Sequence, residues 1–147
     1  MIFGEEIENE IKEFINKIGN IHYHSDSNYG VEYLNNNFRF LGTKIDLSKE
    51  KNYVSYDFKK NNFLDMIKFF EFKDIKENIL ASNEIHYVGD GITNSELIFS
   101  GKEFFKLLEF LFVNIPEHHY FFDMEKKWCL LIATEGWINY GEKSIEI

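Results

Sequence analysis

Three segments of the chain carry apolar residues at the spacing of an amphipathic helix. This spacing predicts helices over 5–18, 62–80 and 101–113. Gly19 follows the first segment and suits the left-handed residue that often ends a helix, and the second segment is expected to break near Phe72-Lys73-Asp74. The apolar positions that define the three helices are Ile7, Ile11, Phe14, Ile15, Ile18, Phe63, Met66, Ile67, Phe70, Phe104, Phe105, Leu107, Leu108, Leu111 and Phe112.

The third helix has the clearest start and end signals. Ser100-Gly101-Lys102-Glu103 has the form of a capping box, in which the serine accepts from an early N–H and the glutamate returns to the cap. Pro116 then prevents the helix from continuing. Because this segment is apolar on most of its circumference, we expect it to be buried between other elements.

The segment 53–58 alternates between a polar and an apolar face, and the other short apolar segments are separated by turn residues, which predicts β-strands. The Asp90-Gly91 pair predicts a hairpin turn. Strands and helices are grouped rather than strictly alternating, which favours one α+β domain over 1–147, with a mostly antiparallel sheet and about three helices packed on it. The predicted strands are 31–34, 38–46, 53–58, 84–89, 95–99, 118–122, 128–133 and 137–140.

Charge limits the possible partners. The 147 residues have a formal net charge of −9, and Arg39 is the only arginine. A nucleic-acid binder needs a basic surface, and an anionic membrane would repel this chain. We therefore expect neither nucleic acid nor membrane as a partner. An acidic domain is better suited to a protein with a basic surface.

Cysteine content and the N-terminal residues indicate a cytoplasmic protein. Cys129 is the only cysteine, so neither an intramolecular disulfide nor a multi-cysteine zinc site is possible. The N-terminal residues lack the basic start and apolar run of a secretory signal. Cys129 and its neighbour Trp128 are expected in the core, where a thiol behaves as a small hydrophobic group.

Histidines are the main candidates for chemistry. His22 and His24 would lie on one face of a strand, as two zinc ligands require, with Asp26 as a further donor. The alternative is a polar strand edge without metal. His118 and His119 point to opposite faces of a strand, so one ring is expected in the interior and the other near water. A structural role, a pH-sensitive contact and acid–base catalysis remain open for this pair. The sequence predicts no cofactor.

The C-terminal third resembles small bacterial immunity proteins encoded beside polymorphic or contact-dependent toxins. The similarity runs from Asp90-Gly91 onward and is carried by IPEHHYFF at 115–122, WCL at 128–130 and EG at 135–136. It implies a non-enzymatic inhibitor that binds the cognate toxin domain in the cytoplasm. We expect the chain itself to be a monomer or a weak homo-oligomer. Many such toxins are nucleases with basic grooves. The alternatives are a general protein-interaction domain and a small hydrolase that uses His22, His24 or His118.

Acidic turn residues around an exposed aromatic are the expected contact surface. Turn chemistry alone also explains each of these acids, because Asp favours such positions. The candidate contact residues are Asp26, Asp90, Asp123 and Glu135, with Tyr29 or Trp137 as the anchor.

Overall fold

The computed structural model describes residues 3–42, 44–90 and 92–143. Helices and short strands follow one another as predicted, although more helices form than the sequence indicated. In chain order the elements are α1 (Phe3–Ile18), β1 (His22–His24), α2 (Asn28–Asn37), β2 (Phe40–Leu41), β3 (Lys44–Ile45), β4 (Lys51–Asp57), α3 (Phe63–Met66), a 3-10 helix (Ile67–Glu71), α4 (Lys73–Leu80), β5 (Ile85–Gly89), β6 (Glu96–Phe99), α5 (Gly101–Asn114), β7 (His119–Asp123), β8 (Trp128–Ala133) and β9 (Trp137–Glu142).

Seven strands form one antiparallel sheet in the order β1-β6-β5-β7-β8-β9-β4. The last three strands along the chain form a meander at its centre and one side, and β2 pairs with β3 in a separate two-stranded sheet. These features confirm the α+β class with a mostly antiparallel sheet.

One face of the sheet is covered by α1, α4 and α5. Ile7, Ile11 and Ile15 recur at helical spacing and are buried against this face. Phe104 and Leu107 of α5 belong to the same core. Since side chains alternate along a strand, every second residue of the central strands enters this core. Among the described residues, no helix is long and apolar enough to cross a membrane.

The other face is covered by α2 and the β2–β3 hairpin. Leu34, Phe38, Ile45 and Leu47 pack there with the alternate strand residues. Tyr33 of α2 stacks on Phe122 of β7 with ring centroids 5.3 Å apart. This smaller core places α2 beside the strand ends that form the candidate site.

Two predicted strands are wrong. Residues 31–34 belong to α2, and 38–46 forms only the short pairing Phe40–Leu41 with Lys44–Ile45. The apolar positions Val31, Leu34 and Phe38 fit a helix at least as well as a strand, and packing of Leu34 and Phe38 against the sheet favours the helix. The number of helices was also underestimated, because the described residues contain five α-helices.

The other local predictions agree more closely with the structure. The segment 62–80 is interrupted as expected, because Phe72 adopts an extended conformation between the 3-10 helix and α4. The predicted start of α5 is correct, but the reciprocal capping box does not form. Ser100 instead donates its hydroxyl to the Glu103 carboxylate, 2.5 Å away. The Gly91 part of the predicted hairpin turn lies outside the described residues.

Candidate interaction surface

One end of the sheet brings together three of the predicted contact residues. Gly89 pairs with His119, which places Asp90 beside His118. Ala133 pairs with Trp137 across the turn that contains Glu135. Asp90, Glu135 and Trp137 therefore lie at the same end of neighbouring strands, although 47 positions separate Asp90 from Trp137 in the sequence.

Asp90 has an unusual environment for an acidic turn residue. Its carboxylate is half-buried and accepts hydrogen bonds from the His118 backbone N–H at 3.1 Å and the Tyr120 hydroxyl at 3.5 Å. Burial raises the pKa of the Asp90 carboxyl above its usual range, although the positive charges of His118 and Lys44 and both hydrogen bonds act in the opposite direction. Among the described residues, no Lys, Arg or His side-chain nitrogen lies within the 4 Å of an ion pair with Asp90.

A pocket of about 190 Å³ opens next to Asp90, between α2 and the sheet. Val31, Leu34 and Asn35 line it from α2, at the i, i+3 and i+4 positions that share one helix face. The remaining lining residues come from β2, from β5 with its following turn, and from β7, namely Phe40, Val88, Gly89, Asp90 and Tyr120. The pocket is therefore apolar at one end and carries a carboxylate at the other.

Buried Glu117 holds the loop that follows Asp90. Its carboxylate accepts from the backbone N–H groups of Ile92 at 2.6 Å and Thr93 at 3.1 Å, and from the Thr93 hydroxyl. Burial raises the pKa of Glu117. Glu117 directly precedes His118, whose N–H donates to Asp90. The same turn therefore supports Asp90 and fixes the loop that follows it.

Glu135 already has partners within the chain. Lys44 of β3 donates to its carboxylate, and His118 Nε2 lies 3.4 Å from its Oε1. The hydrogen bond from Lys44 lowers the pKa of Glu135. Lys44 Nζ also lies 5.9 Å from the centre of the Trp137 ring. Lys44 is thus in direct contact with Glu135 and Trp137, and it acts on Asp90 only at longer range, where its positive charge lowers the pKa of Asp90.

Tyr29 and Asp26 lie at the N-terminal end of α2. Tyr29 is 68% exposed, and Asp26 accepts from the Asn28 N–H at 3.2 Å in the turn that begins the helix. Val31 and Leu41, 39% and 68% exposed, extend the apolar surface from α2 to the β2–β3 hairpin. Exposed apolar side chains that are grouped together and rimmed by polar residues are typical of a protein-binding surface.

Asp123 does not belong to this surface. It pairs with Trp128 at the opposite end of β7 and is 2% exposed. Its carboxylate accepts from the Ser82 hydroxyl at 2.7 Å and from the Glu125 and Lys126 N–H groups at 2.9 Å each. The prediction that Asp123 binds a partner is wrong, because these bonds occupy the carboxylate in the interior.

Replacing Asp123 with asparagine is expected to lower the free energy of unfolding by about 1–3 kcal/mol, because buried donors lose a charged acceptor. Asp26→Asn is the matched control: its turn is exposed, and the change should stay within about 0.5 kcal/mol. Urea unfolding of both variants measures the difference. Equal stability of the two variants would contradict the structural role of Asp123.

The histidines differ in burial, and His118 is partly buried. His22 and His24 are exposed on β1. Within residues 3–42, 44–90 and 92–143, no three His, Cys, Asp or Glu side chains form a group that could hold a metal. His119 is buried, and burial lowers its pKa to about 3. Its neutral ring accepts from the Tyr87 hydroxyl, 2.6 Å away, which is a structural role.

A buried hydrogen-bonded network on the α2 side of the sheet was not predicted from the sequence. His86 lies between Glu96 and Glu84, with nitrogen–oxygen distances of 2.7 and 2.8 Å. Glu96 also accepts from the Gly30 N–H at 2.8 Å. Only the alternation of polar Glu96 with apolar Leu97 in a short strand could have indicated this network. Cys129 and Trp128 are in the core as predicted, and burial raises the pKa of the Cys129 thiol.

The fold and the surface define an α+β domain with a small acidic pocket beside an exposed apolar strip. A scan against protein-family models, a search of curated proteins and a search of solved structures each find no match to this chain.

Proposed function

We propose that this chain is a non-enzymatic immunity protein, which binds a bacterial toxin domain and neutralises it in the cytoplasm. The observation that carries the proposal is Asp90, a half-buried carboxylate without an ion-pair partner among the described residues, next to exposed apolar side chains. Burying a charge is costly unless it is paired. His118 and Lys44 act on Asp90 only at longer range, so a partner cation in direct contact with its carboxylate would reduce this cost further.

The target class proposed here is a nuclease toxin. Such an enzyme needs a basic groove to hold its substrate, and this chain has a net charge of −9. Complementary charge accelerates association and favours the correct partner. The resemblance of residues 90–141 to immunity proteins supports the same conclusion. A general protein-interaction domain is the alternative, since it would use the same surface.

Co-expression tests this function directly. The chain is expressed with the C-terminal domain of the protein encoded immediately upstream, and cell survival and co-purification are measured. We expect survival and a stable complex. Death of the cells without a complex would reject this toxin as the target and favour the general interaction domain.

Charge reversal on the proposed surface is expected to slow association with the toxin. In the double variant Asp26→Lys and Glu135→Lys, the association rate should fall about tenfold at low salt and depend less on salt, because steering by the acidic surface is reduced. Asp74→Lys with Glu77→Lys on α4 changes the net charge equally on the other face of the sheet. Equal rates for the two double variants would contradict binding through this surface.

A further inference from the structure

The size of the Asp90 pocket limits what can enter it. An apolar cavity of about 150 Å³ accepts a molecule such as benzene, whereas sites for drug-sized ligands occupy about 300–1,000 Å³. The pocket beside Asp90 measures about 190 Å³. It therefore matches a single side chain better than a cofactor or nucleotide.

The chemistry of the lining specifies that side chain further. Val31, Leu34, Phe40 and Val88 offer an apolar surface for an aliphatic stem. At the other end are the Asp90 carboxylate and the Tyr120 hydroxyl, which donates to it. An apolar wall that ends at a carboxylate is complementary to a positive group on an unbranched hydrocarbon chain.

We propose that this pocket receives one lysine side chain of the partner protein, with its methylenes along α2 and its ammonium on Asp90. The inference rests on the proposed function for the identity of the partner, which is the toxin domain. Pairing inside the pocket places a cation within ion-pair distance of Asp90, where the described residues place none.

Lysine fits better than arginine. The guanidinium is a planar fork that pairs best with both oxygens of a carboxylate, whereas the ammonium is a compact charge on a flexible stem. Asp90 Oδ1 already accepts from the His118 N–H and Oδ2 faces the Tyr120 hydroxyl. A single-point contact uses the remaining acceptor capacity with less rearrangement.

The exposed positions of Val31 and Asn35 place the entrance on the solvent side of α2. A lysine in the centre of a larger interface would be desolvated there, where pairing with a buried carboxylate has its greatest effect on affinity. Asp90 would then determine how long the complex lasts, whereas Asp26 and Glu135 would determine how quickly it forms.

The first experiment uses n-butylammonium chloride as a probe of the pocket, without any toxin. The ¹⁵N-labelled protein is titrated and its amide shifts are followed by NMR. We expect saturable shifts at Val31, Val88 and Asp90 with a dissociation constant in the millimolar range, and at least tenfold weaker binding to Asp90→Asn. Weaker binding of n-butylguanidinium is expected, and n-butanol should not saturate.

Folding of the variant is checked separately. Because burial raises the pKa of Asp90, the charged carboxylate opposes folding at neutral pH, and Asp90→Asn should unfold at the same temperature as the parent or higher. Asp74→Asn on α4 is the matched control and should bind n-butylammonium as the parent does. Equal binding to both variants, or shifts confined to other residues, would overturn the lysine pocket.

The toxin experiment separates this inference from the proposed function. If n-butylammonium binds at Asp90 but the co-expressed toxin is not neutralised, the pocket stands and the immunity function is rejected. If the toxin is neutralised equally by the parent and Asp90→Asn, the function stands and the lysine pocket is overturned. An increase of at least tenfold in the dissociation rate of the Asp90→Asn complex supports both.

Discussion

Replacing Phe121 with alanine is expected to lower the free energy of unfolding by about 3–5 kcal/mol, the usual cost of removing a buried phenylalanine. Phe121 is fully buried at the centre of the sheet face that packs on the helices. Its ring centroid lies 4.9 Å from that of Tyr87 and 5.0 Å from that of Phe104. The rigid neighbours on both the sheet and α5 limit collapse of the cavity that the substitution creates.

Urea unfolding provides the measurement, with the transition midpoint expected to fall and the slope to stay unchanged. Tyr29→Ala is the control, because this aromatic residue is 68% exposed and its loss should change stability by about 0.5 kcal/mol or less. A loss below about 1 kcal/mol for Phe121→Ala would contradict the close packing described for this face.

The two variants also separate folding from binding. The side chain of Phe121 faces the helices, whereas its neighbour Tyr120 faces the Asp90 pocket. The fraction of the Phe121→Ala protein that stays folded should therefore retain the pocket. Tyr29→Ala should be stable but bind the toxin less well if the exposed aromatic contributes to the interface, since aromatic anchors often supply much of the binding energy.

Much of the sheet and helix pattern followed from local sequence. The segments 5–18 and 101–113 have strong helical periodicity, and the C-terminal strands are short apolar runs separated by turn residues. These segments formed the expected elements. Residues 31–34 did not, because Val31 and Leu34 fit either a strand or a helix and packing of Leu34 against the sheet favoured the helix.

The candidate site was only partly predictable for a related reason. Asp90 and Asp123 are the same residue type next to predicted turns, yet one faces a pocket and the other is enclosed by Ser82 and backbone donors. Only tertiary packing distinguishes them. The pocket is lined by residues that are far apart in the sequence, including Val31, Val88 and Tyr120. No local sequence pattern predicts that these residues come together.

The burial of the Glu96 carboxylate is a further feature that the sequence did not predict. Its carboxylate is buried between the Gly30 N–H and the His86 ring, at 2.8 and 2.7 Å. A Cβ atom on Gly30 would lie 2.3 Å from Glu96 Oε1, so glycine allows α2 to approach the carboxylate. Burial lowers the pKa of His86, but hydrogen bonds to Glu96 and Glu84 outweigh it, and the net pKa is raised.

Glu96→Gln is therefore expected to destabilise the protein by about 2–3 kcal/mol at pH 6, because a hydrogen bond to a charged group is lost in the interior. His86 has a higher pKa in the folded than in the unfolded protein, so its protonation stabilises the fold fully below its unfolded pKa of about 6.5. That contribution disappears as the pH rises through the raised folded value. The difference between parent and variant should consequently be largest near pH 6 and smaller at pH 9.

Chemical unfolding at several pH values between 6 and 9 measures this dependence. Part of the loss should persist at pH 9, because the neutral His86 ring can still donate from Nδ1 to Glu96. Asp74→Asn, at an exposed position of α4, is the control and should follow the parent at every pH. A constant difference between parent and Glu96→Gln across this range would mean that His86 is neutral throughout, and that α2 is held by hydrogen bonds without a buried charge pair.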